Sequence, residues 1–457
     1  MNNLTLNEYV IELKEKSIAV IGVGVSNLPL IRLLAGEGCD VTACDKRSAQ
    51  ALGDVYYELS GLGVKFNLGD NYLSDLNFDV IFRTPGLHPL FLDKAKEQGS
   101  LVTSEMEAFF ALCPCKIIAV TGSDGKTTTS TLISELLKAE GYKVHLGGNI
   151  GKPLLCDVPE MSRDDMVVLE LSSFQLHSMD CHPNVSVITN ISPNHLDVHP
   201  SYEDYQIAKK NIFTGQNEND RLVLNLDNEI TASYAVEAAS RVSFFSRFKD
   251  VDKGCCIKDD AIYLNGEKIV DKSDILLPGE HNVENYMAAI AATEGLVSKG
   301  SIVSVAKNFG GVEHRIELVR IHKGVRYYND SIASSPSRTV AGLKSFKEKT
   351  ILIAGGYDKK IGFEPLAEEA IKSVKALYLC GHTAEKIKIA VENAEGYDAA
   401  MLPIYVFDDF TETVLAAAES ASEGDVVIMS PACASFDKFK NFAERGRRFK
   451  EIIGGLN

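Results

Sequence analysis

No apolar run in the sequence approaches the roughly 18 residues of a membrane-spanning helix, so no membrane span is expected. Cationic residues are in short supply. Lys and Arg number 47 against 63 Asp and Glu, and the formal charge of −16 would repel a polyanion overall, which argues against a nucleic-acid partner. Any phosphate must therefore be held locally. No C-x-x-C pair occurs among the cysteines (Cys39, Cys44, Cys113, Cys115, Cys156, Cys181, Cys255, Cys256, Cys380 and Cys433), and no secretory leader is expected ahead of them. Such scatter suits reduced thiols in a cytosol better than a disulfide framework or a structural zinc site. The opening stretch MNNLTLNEYVIELKEK is charged and lacks the apolar centre of a signal peptide. Repeats and low-complexity tracts are also missing, and a cytoplasmic monomer is expected.

What is present is an alternation of short apolar runs with helical patterns almost from end to end, the signature of parallel α/β sheets. At 457 residues the chain is too long for one core and should hold about three domains. SIAVIGVG (17–24), CDVTACD (39–45) and FDVIFRTPG (78–86) form a first block of strands. KIIAVTGSDGK (116–126), MVVLELSS (166–173), VSVITNIS (185–192) and DRLVLNLD (220–227) form a second. RYYND (326–330), TILIAGG (350–356), KALYLCG (375–381) and DVVIMSPA (425–432) form a third. Interruptions near residues 104 and 311 place domains at 1–104, 105–311 and 312–457. The expected fold is α/β with a Rossmann-like N-terminal domain, a central P-loop ATPase-like parallel sheet and a Rossmann-like C-terminal domain.

In the first block, GVGVSN (22–27) follows an apolar strand, and Asp45 ends the next strand where a dinucleotide fold puts its ribose-binding acid. The third glycine of that fingerprint is replaced by Asn27. A turn that needs small residues explains the loop without any ligand. A nucleotide diphosphate other than NAD is the sharper reading, with Thr84 and Gly86 of TPG on the same rim.

In the second block, VTGSDGKTTTS (120–130) resembles a phosphate loop without its first glycine, since Val120 stands five residues before Gly125. Gly122 and Gly125 still flank a turn, and Ser123, Asp124, Lys126, Thr127 and Thr128 lead into a helix. Backbone N–H groups and the positive helix end would hold phosphates, Lys126 would neutralise the terminal ones, and Thr127 would reach Mg²⁺. A capped helix rich in Ser and Thr does not account for the lysine. Glu170 and His195 follow neighbouring strands on the same rim and offer oxygen and nitrogen ligands. SYEDYQIAKKNIF (201–213) reads as an amphipathic helix with Tyr202, Tyr205 and Ile212 on its apolar side; Lys209 and Lys210 default to solvated surface lysines.

TGSDGKTTT, ELSSFQL, NISPNHLD, IAKKNIF, GEHNVENYMAAIAA, EHRIE, NDSIASS, GGYDKKIGF and SPACASFDKFKNFAERG occur in the order and spacing of the Mur ligases. The chain resembles these cytoplasmic ATP-dependent amide-forming enzymes of peptidoglycan synthesis over nearly its whole length. The resemblance implies a P-loop that lacks the first glycine, and Asp124 stands where many members have Asn. SPACASFDKFKNFAERG is similar to the branch that adds D-glutamate to UDP-N-acetylmuramoyl-L-alanine, and the Asp-Asn-Pro-Arg signature of the diaminopimelate-adding branch is absent.

By the same resemblance, ATP would phosphorylate the substrate carboxylate with two Mg²⁺ ions, Thr127 and Glu170 serving one and His195 the other. Lys209 matches a lysine that becomes carbamylated and so turns into a metal ligand. Gly122, Ser123, Asp124, Gly125, Lys126, Thr127, Thr128, Asn282, Asn285, Arg315 and Asp330 would bind ATP. Val25, Ser26, Asp45, Lys46, Thr84 and Gly86 would hold the uridine diphosphate end of the substrate, and Asn149 and Ser172 its acyl end. Ser334, Lys359, Ser435, Phe436 and Phe442 match the D-glutamate pocket. Relatives often carry Lys where this chain has Ile332; Arg338, in the first turn of a helix opened by Pro336, either substitutes for it or is a solvated arginine on the helix face. Another Mur ligase, a folylpolyglutamate synthetase-like enzyme and a non-catalytic NTP-binding protein of the same fold remain alternatives.

Overall fold

The computed structural model describes residues 4–194 and 199–457. Its strands form three sheets of five, nine and six strands. By chain contacts it divides into two compact units: Met1–Lys272 with Glu284–Val305, and Ser273–Val283 with Ala306–Asn457. The first unit carries the five- and nine-stranded sheets, and the second carries the six-stranded one.

The five-stranded sheet is parallel throughout, in the spatial order Lys65–Leu68, Asp40–Asp45, Ser17–Ile21, Val80–Phe82, Leu101–Thr103. Ile18, Ala19, Val20 and Ile21 are essentially inaccessible, as expected of a strand covered on both faces. Strand order reverses between Ser17–Ile21 and Val80–Phe82, so the loops leaving these two strands open a crevice at their carboxyl ends. Those loops carry Val25 and Ser26, and Thr84 and Gly86.

The nine-stranded sheet has a parallel centre, with Lys116–Thr121 between Met166–Glu170 and Val185–Ile188. Val144–Gly148 lies outside Met166–Glu170, while Arg221–Asn225, Arg241–Ser246 and Gly254–Lys258 continue the other side in parallel. Ala261–Leu264 and Glu267–Asp271 then turn antiparallel. That departure from the expected parallel pattern has a local cause. Asp259 and Asp260 have φ of 46° and 54°, and Asn265 and Gly266 have 50° and 82°, the paired positive values that two-residue hairpin turns demand. The dipeptide Asn265-Gly266 is the readable signal for the second turn.

The six-stranded sheet runs Glu317–His322, Val325–Asn329, Val426–Met429, Thr350–Ala354, Val374–Cys380, Ile404–Phe407, parallel except for the first pair. Lys323 and Gly324, with φ of 50° and 76°, close that antiparallel hairpin. The loops leaving Asn329, Ala354 and Met429 share one rim, and they carry Asp330 and Ser334, Lys359, and Ser435 and Phe436. Among the described residues, no helix is long and apolar enough to cross a membrane.

Candidate active site

The phosphate-loop segment leaves the central strand Lys116–Thr121 and enters the helix Lys126–Glu140 through Gly125, which caps it with φ of 77°. Gly122 has φ of 148°, and a Cβ there would run into Thr189 Oγ1; one on Gly125 would run into Asn285 Oδ1. Only glycine satisfies both the backbone and the packing at these two positions. Thr189 Oγ1 donates to the Asp124 carbonyl, and the Asp124 amide donates to Asn190 Oδ1 at 2.9 Å, so a neighbouring strand end fixes the loop. Ser123 Oγ lies 2.9 Å from the Tyr205 hydroxyl and accepts from the Ser192 amide at 2.9 Å. Thr127 and Thr128 are half-buried in the first helical turn, where unsatisfied N–H groups favour an anion.

Lys126 Nζ donates to the carbonyls of Gly122 and Ser123, both at 2.9 Å. Lys209 comes in from the helix Tyr202–Thr214, only 1% exposed, and donates to Thr121 Oγ1 at 3.2 Å and the Gly122 carbonyl at 2.8 Å. Its ammonium sits 4.8 Å from the centre of the Tyr205 ring. The expectation of a solvated lysine is thereby corrected for Lys209. Lys210 is half-buried, pairing with Glu237. Burial first, and the neighbouring Lys126 second, push the Lys209 amine well below the ordinary lysine range, against the opposing pull of Glu170 and Asp124.

Glu170 ends the adjacent strand and is 2% exposed. Asn149 Nδ2 donates to its Oε1 at 2.8 Å, while Oε2 is buried with no hydrogen-bond partner. An orphaned carboxylate oxygen in such a site fits a hard cation, because burial without a counter-charge is costly. Ser172, one strand end away, caps the short helix Ser173–Leu176 in a reciprocal capping box with Gln175. The first unit thus brings Gly122, Ser123, Asp124, Gly125, Lys126, Asn285, Glu170, Asn149 and Lys209 into one connected network. His195 lies outside the described residues.

On the five-stranded sheet, Asp45 accepts from the Val23 amide at 2.8 Å and from the Arg47 guanidinium at 2.9 and 3.0 Å. Burial alone would raise the Asp45 carboxyl, but the Arg47 and Val23 hydrogen bonds outweigh it and hold the group below the usual range. Arg47, which also donates to the Val23 carbonyl at 2.7 Å, was not singled out from the sequence. Asn27, in place of the third glycine, is buried and ties its amide to the Ile21 carbonyl at 2.8 Å. Val25, Lys46 and Gly86 are exposed, Ser26 and Thr84 half-buried.

In the second unit, Asp330 is 3% exposed; its Oδ2 accepts from Ser430 Oγ at 2.6 Å and its Oδ1 from the Ile316 amide at 3.3 Å. Desolvation dominates and pushes this carboxyl up to about 7, with Ser430, Ile316, Arg315 and Arg338 pulling the other way. Arg338, in the helix Pro336–Leu343, is exposed and donates to the Ile332 carbonyl at 3.4 Å. Lys359 Nζ donates to the Ser334 carbonyl at 3.2 Å. Ser435 is buried, whereas Phe436 and Phe442 are 66% and 40% exposed, and Tyr357 meets Phe436 edge-on at 6.1 Å. Arg445, which sequence reading passed over, is 2% exposed and donates to the carbonyls of Ser331, Cys433 and Ala434 at 3.0, 3.0 and 3.2 Å. It braces two of the rim loops from beneath. Asn282 is buried and donates to the Pro278 carbonyl at 2.6 Å.

Residues 120–293 match the Mur ligase middle domain, and residues 314–433 match the Mur ligase, glutamate ligase domain. The chain is 53% identical over 464 aligned positions to a protein of Acetivibrio thermocellus named UDP-N-acetylmuramoylalanine--D-glutamate ligase, with 99% of each chain covered. A Clostridium novyi protein of the same name is 51% identical, again with 99% of both chains covered. Among solved structures, the fold is shared with the UDP-N-acetylmuramate-alanine ligase of Thermotoga maritima at a TM-score of 0.58 and 18% identity, covering 96% of this chain and 99% of that one. FolC of E. coli in complex with ADP, without folate substrate, gives 0.52 and 17%, covering 77% and 93%. With half of its residues shared along almost its entire length and both domain descriptions matched in order, the chain belongs to the Mur ligase family.

Proposed function

We propose that the protein is an ATP-dependent ligase that adds D-glutamate to UDP-N-acetylmuramoyl-L-alanine, in cytoplasmic synthesis of peptidoglycan precursors. The near-full-length likeness to relatives carrying that activity in their names supports the substrate choice. The observation that carries the chemistry is a glycine-shaped loop held by half-buried Lys126 and buried Lys209, whose amine is coupled electrostatically to Glu170 with its orphaned oxygen.

The difficulty the site must solve is charge, because a carboxylate has to approach a polyphosphate of the same sign. Lys126 and the N-terminal turn of its helix draw the terminal phosphates into place. Thr127, Glu170, Lys209 and His195 would hold two Mg²⁺ ions, which would neutralise the phosphate oxygens during transfer. A substrate carboxylate oxygen then bonds to the γ-phosphorus as the bond to ADP breaks. The amine of D-glutamate attacks the acyl carbon, a proton leaves the nitrogen, and phosphate departs.

Lys209 serves in this scheme as a carbamate. A buried amine held well below the ordinary lysine range gives up its proton more readily than a solvated one, and the freed nitrogen adds to carbon dioxide with loss of one proton. The product is an anion where the cation would repel a metal. Asn149 orients Glu170, and Asp45 with Arg47 organises the loop that would receive the uridine diphosphate end. The same reading puts domain boundaries near residues 104 and 311; the end of the first sheet at Thr103 and the start of the third at Glu317 support it. In the second unit, Asp330 and Arg315 would face the nucleotide, and Ser334, Lys359, Ser435, Phe436 and Phe442 the incoming amino acid. A monomer suffices for all of this.

The test is phosphate release from ATP with UDP-N-acetylmuramoyl-L-alanine, with D-glutamate supplied or omitted and with other amino acids in its place. Release that requires both substrates and prefers D-glutamate is expected. Equal release with L-lysine or diaminopimelate would refute the assignment, and none with any amino acid would indicate a non-catalytic protein.

A further inference from the structure

Within the first unit lies a cluster that the ligase reading leaves unused. His88 stands just before the short turn Pro89–Leu92 of the first block, His177 follows the helix Ser173–Leu176, and Asp204 lies in the first turn of the helix Tyr202–Thr214. One ligand atom from each of the three lies within 4.8 Å of the others, and all three side chains are half-buried. We propose that His88, His177 and Asp204 form a site for a borderline divalent cation such as Zn²⁺, separate from the phosphate-loop metals and independent of the substrate assignment.

The donor set is two imidazoles and a carboxylate, which suits Zn²⁺, Co²⁺ or Ni²⁺ and leaves one position for water. His177 Nε2 already lies 3.0 Å from both Asp204 oxygens, close to the spacing of two ligands on one ion. His88 supplies the observation that ordinary packing does not explain. Its Nε2 is buried with no hydrogen-bond partner, although its ring centre is 4.4 Å from that of His177. Its Nδ1 accepts from the Leu90 amide at a long 3.3 Å, a bond that the ring gives up when Nδ1 takes the proton and Nε2 presents its lone pair. Burial first, and the neighbouring His177 second, lower the pKa of His88 against the opposing pull of Asp204.

An outer layer is also in place. His199 Nδ1 lies 2.7 Å from Asp204 Oδ2, and its Nε2 lies 2.9 Å from Ser173 Oγ. It stacks on His177 at 5.6 Å and on Phe174 at 5.3 Å. A histidine that holds a ligating carboxylate by its second nitrogen is a usual metal-site support. The absence of a C-x-x-C pair gave no sign of this, because these ligands come from three distant segments. A bound ion would tie the loop after Val80–Phe82 to the helix that carries Lys209, with Tyr205, the residue after Asp204, already touching Lys209 and Ser123.

The experiment is titration of the chelator-treated full-length protein with Co²⁺ in a large excess of Mg²⁺, which keeps oxygen-rich sites filled, followed by visible absorption and by metal analysis after dialysis. One Co²⁺ per chain is expected, displaced by Zn²⁺, with affinity lowered about 100-fold or more in His88→Ala. His88→Cys, folded by circular dichroism, should restore binding and add a thiolate-to-cobalt charge-transfer band, which a packing role for His88 cannot produce. No Co²⁺ retained over Mg²⁺ in the wild type, or equal retention in wild type and His88→Ala, would overturn the proposal.

Discussion

Asp330→Asn should change how the second unit's stability depends on pH. The native carboxyl is pushed up to about 7 by burial, whereas an aspartate in the unfolded chain titrates near 3.8. Between these values the native state holds a proton that the unfolded state has lost. A raised native value means that the contribution is fully present below the unfolded value and disappears as pH rises through the native one. The whole difference is worth about 4 kcal/mol, at 1.36 kcal/mol per pH unit. Between pH 5 and pH 8 the share lost is about 2 to 3 kcal/mol. Asparagine keeps an oxygen for the Ile316 amide and lets Ser430 reverse its hydrogen bond, so the fold should survive. Hydrogen exchange of the strands Val325–Asn329 and Val426–Met429, corrected for intrinsic rates, reads the local unfolding free energy. Asp330→Asn should gain on the wild type by about those 2 to 3 kcal/mol on moving from pH 5 to pH 8. A wild-type to variant difference that does not move with pH would refute the argument that burial, rather than its Ser430 bond, dominates this carboxyl.

Three further expectations concern the reaction. Lys126→Ala should lower kcat for phosphate release by on the order of 10²- to 10³-fold while uridine-substrate affinity, measured by calorimetry, stays within about twofold. Lys209→Ala should lose activity by a similar order, and short-chain carboxylic acids should restore part of it by supplying an anion at the vacated position; full activity without additives would remove the carbamate from the scheme. Arg338→Ala should reduce kcat/KM by the 2 to 4 kcal/mol of a charged transition-state contact, about 30- to 1,000-fold, with little change in melting temperature and partial recovery on adding Ile332→Lys. Unchanged kinetics in Arg338→Ala would return that side chain to the surface.

The sheet centres were legible because strands buried on both faces are written as unbroken apolar runs: every run quoted from the sequence holds a strand. The antiparallel edge was not, since Gly254–Lys258, Ala261–Leu264 and Glu267–Asp271 are only four or five residues long, and although Asn265-Gly266 is legible as a turn, the turn at Asp259 and Asp260 shows only through φ. Arg445 was missed for a different reason. Its partners are three backbone carbonyls and the Ser331 hydroxyl, and a guanidinium satisfied in this way leaves no acidic residue in the sequence to point to it.

Lys209 shows where composition-based defaults fail. Lysines are usually solvated, yet this one stands four residues after Tyr205 and three before Ile212, both buried, and that spacing sets all three on one face of the helix. The period was in the sequence, and it placed a charged group on an apolar stripe. A chain that keeps a lysine there accepts the desolvation of an ammonium that, among the described residues, has no carboxylate within hydrogen-bond distance and donates to Thr121 Oγ1 and the Gly122 carbonyl. Such a cost is not recovered by packing, since the same length of apolar side chain would fill the space without it. What the position does offer is an amine that loses its proton more easily than a solvated one, in direct contact with the Gly122 carbonyl of the loop that opens the helix Lys126–Glu140. Charge on a buried stripe is therefore a pointer to chemistry, and Lys210, one residue on and half-buried against Glu237, is the ordinary surface lysine beside it.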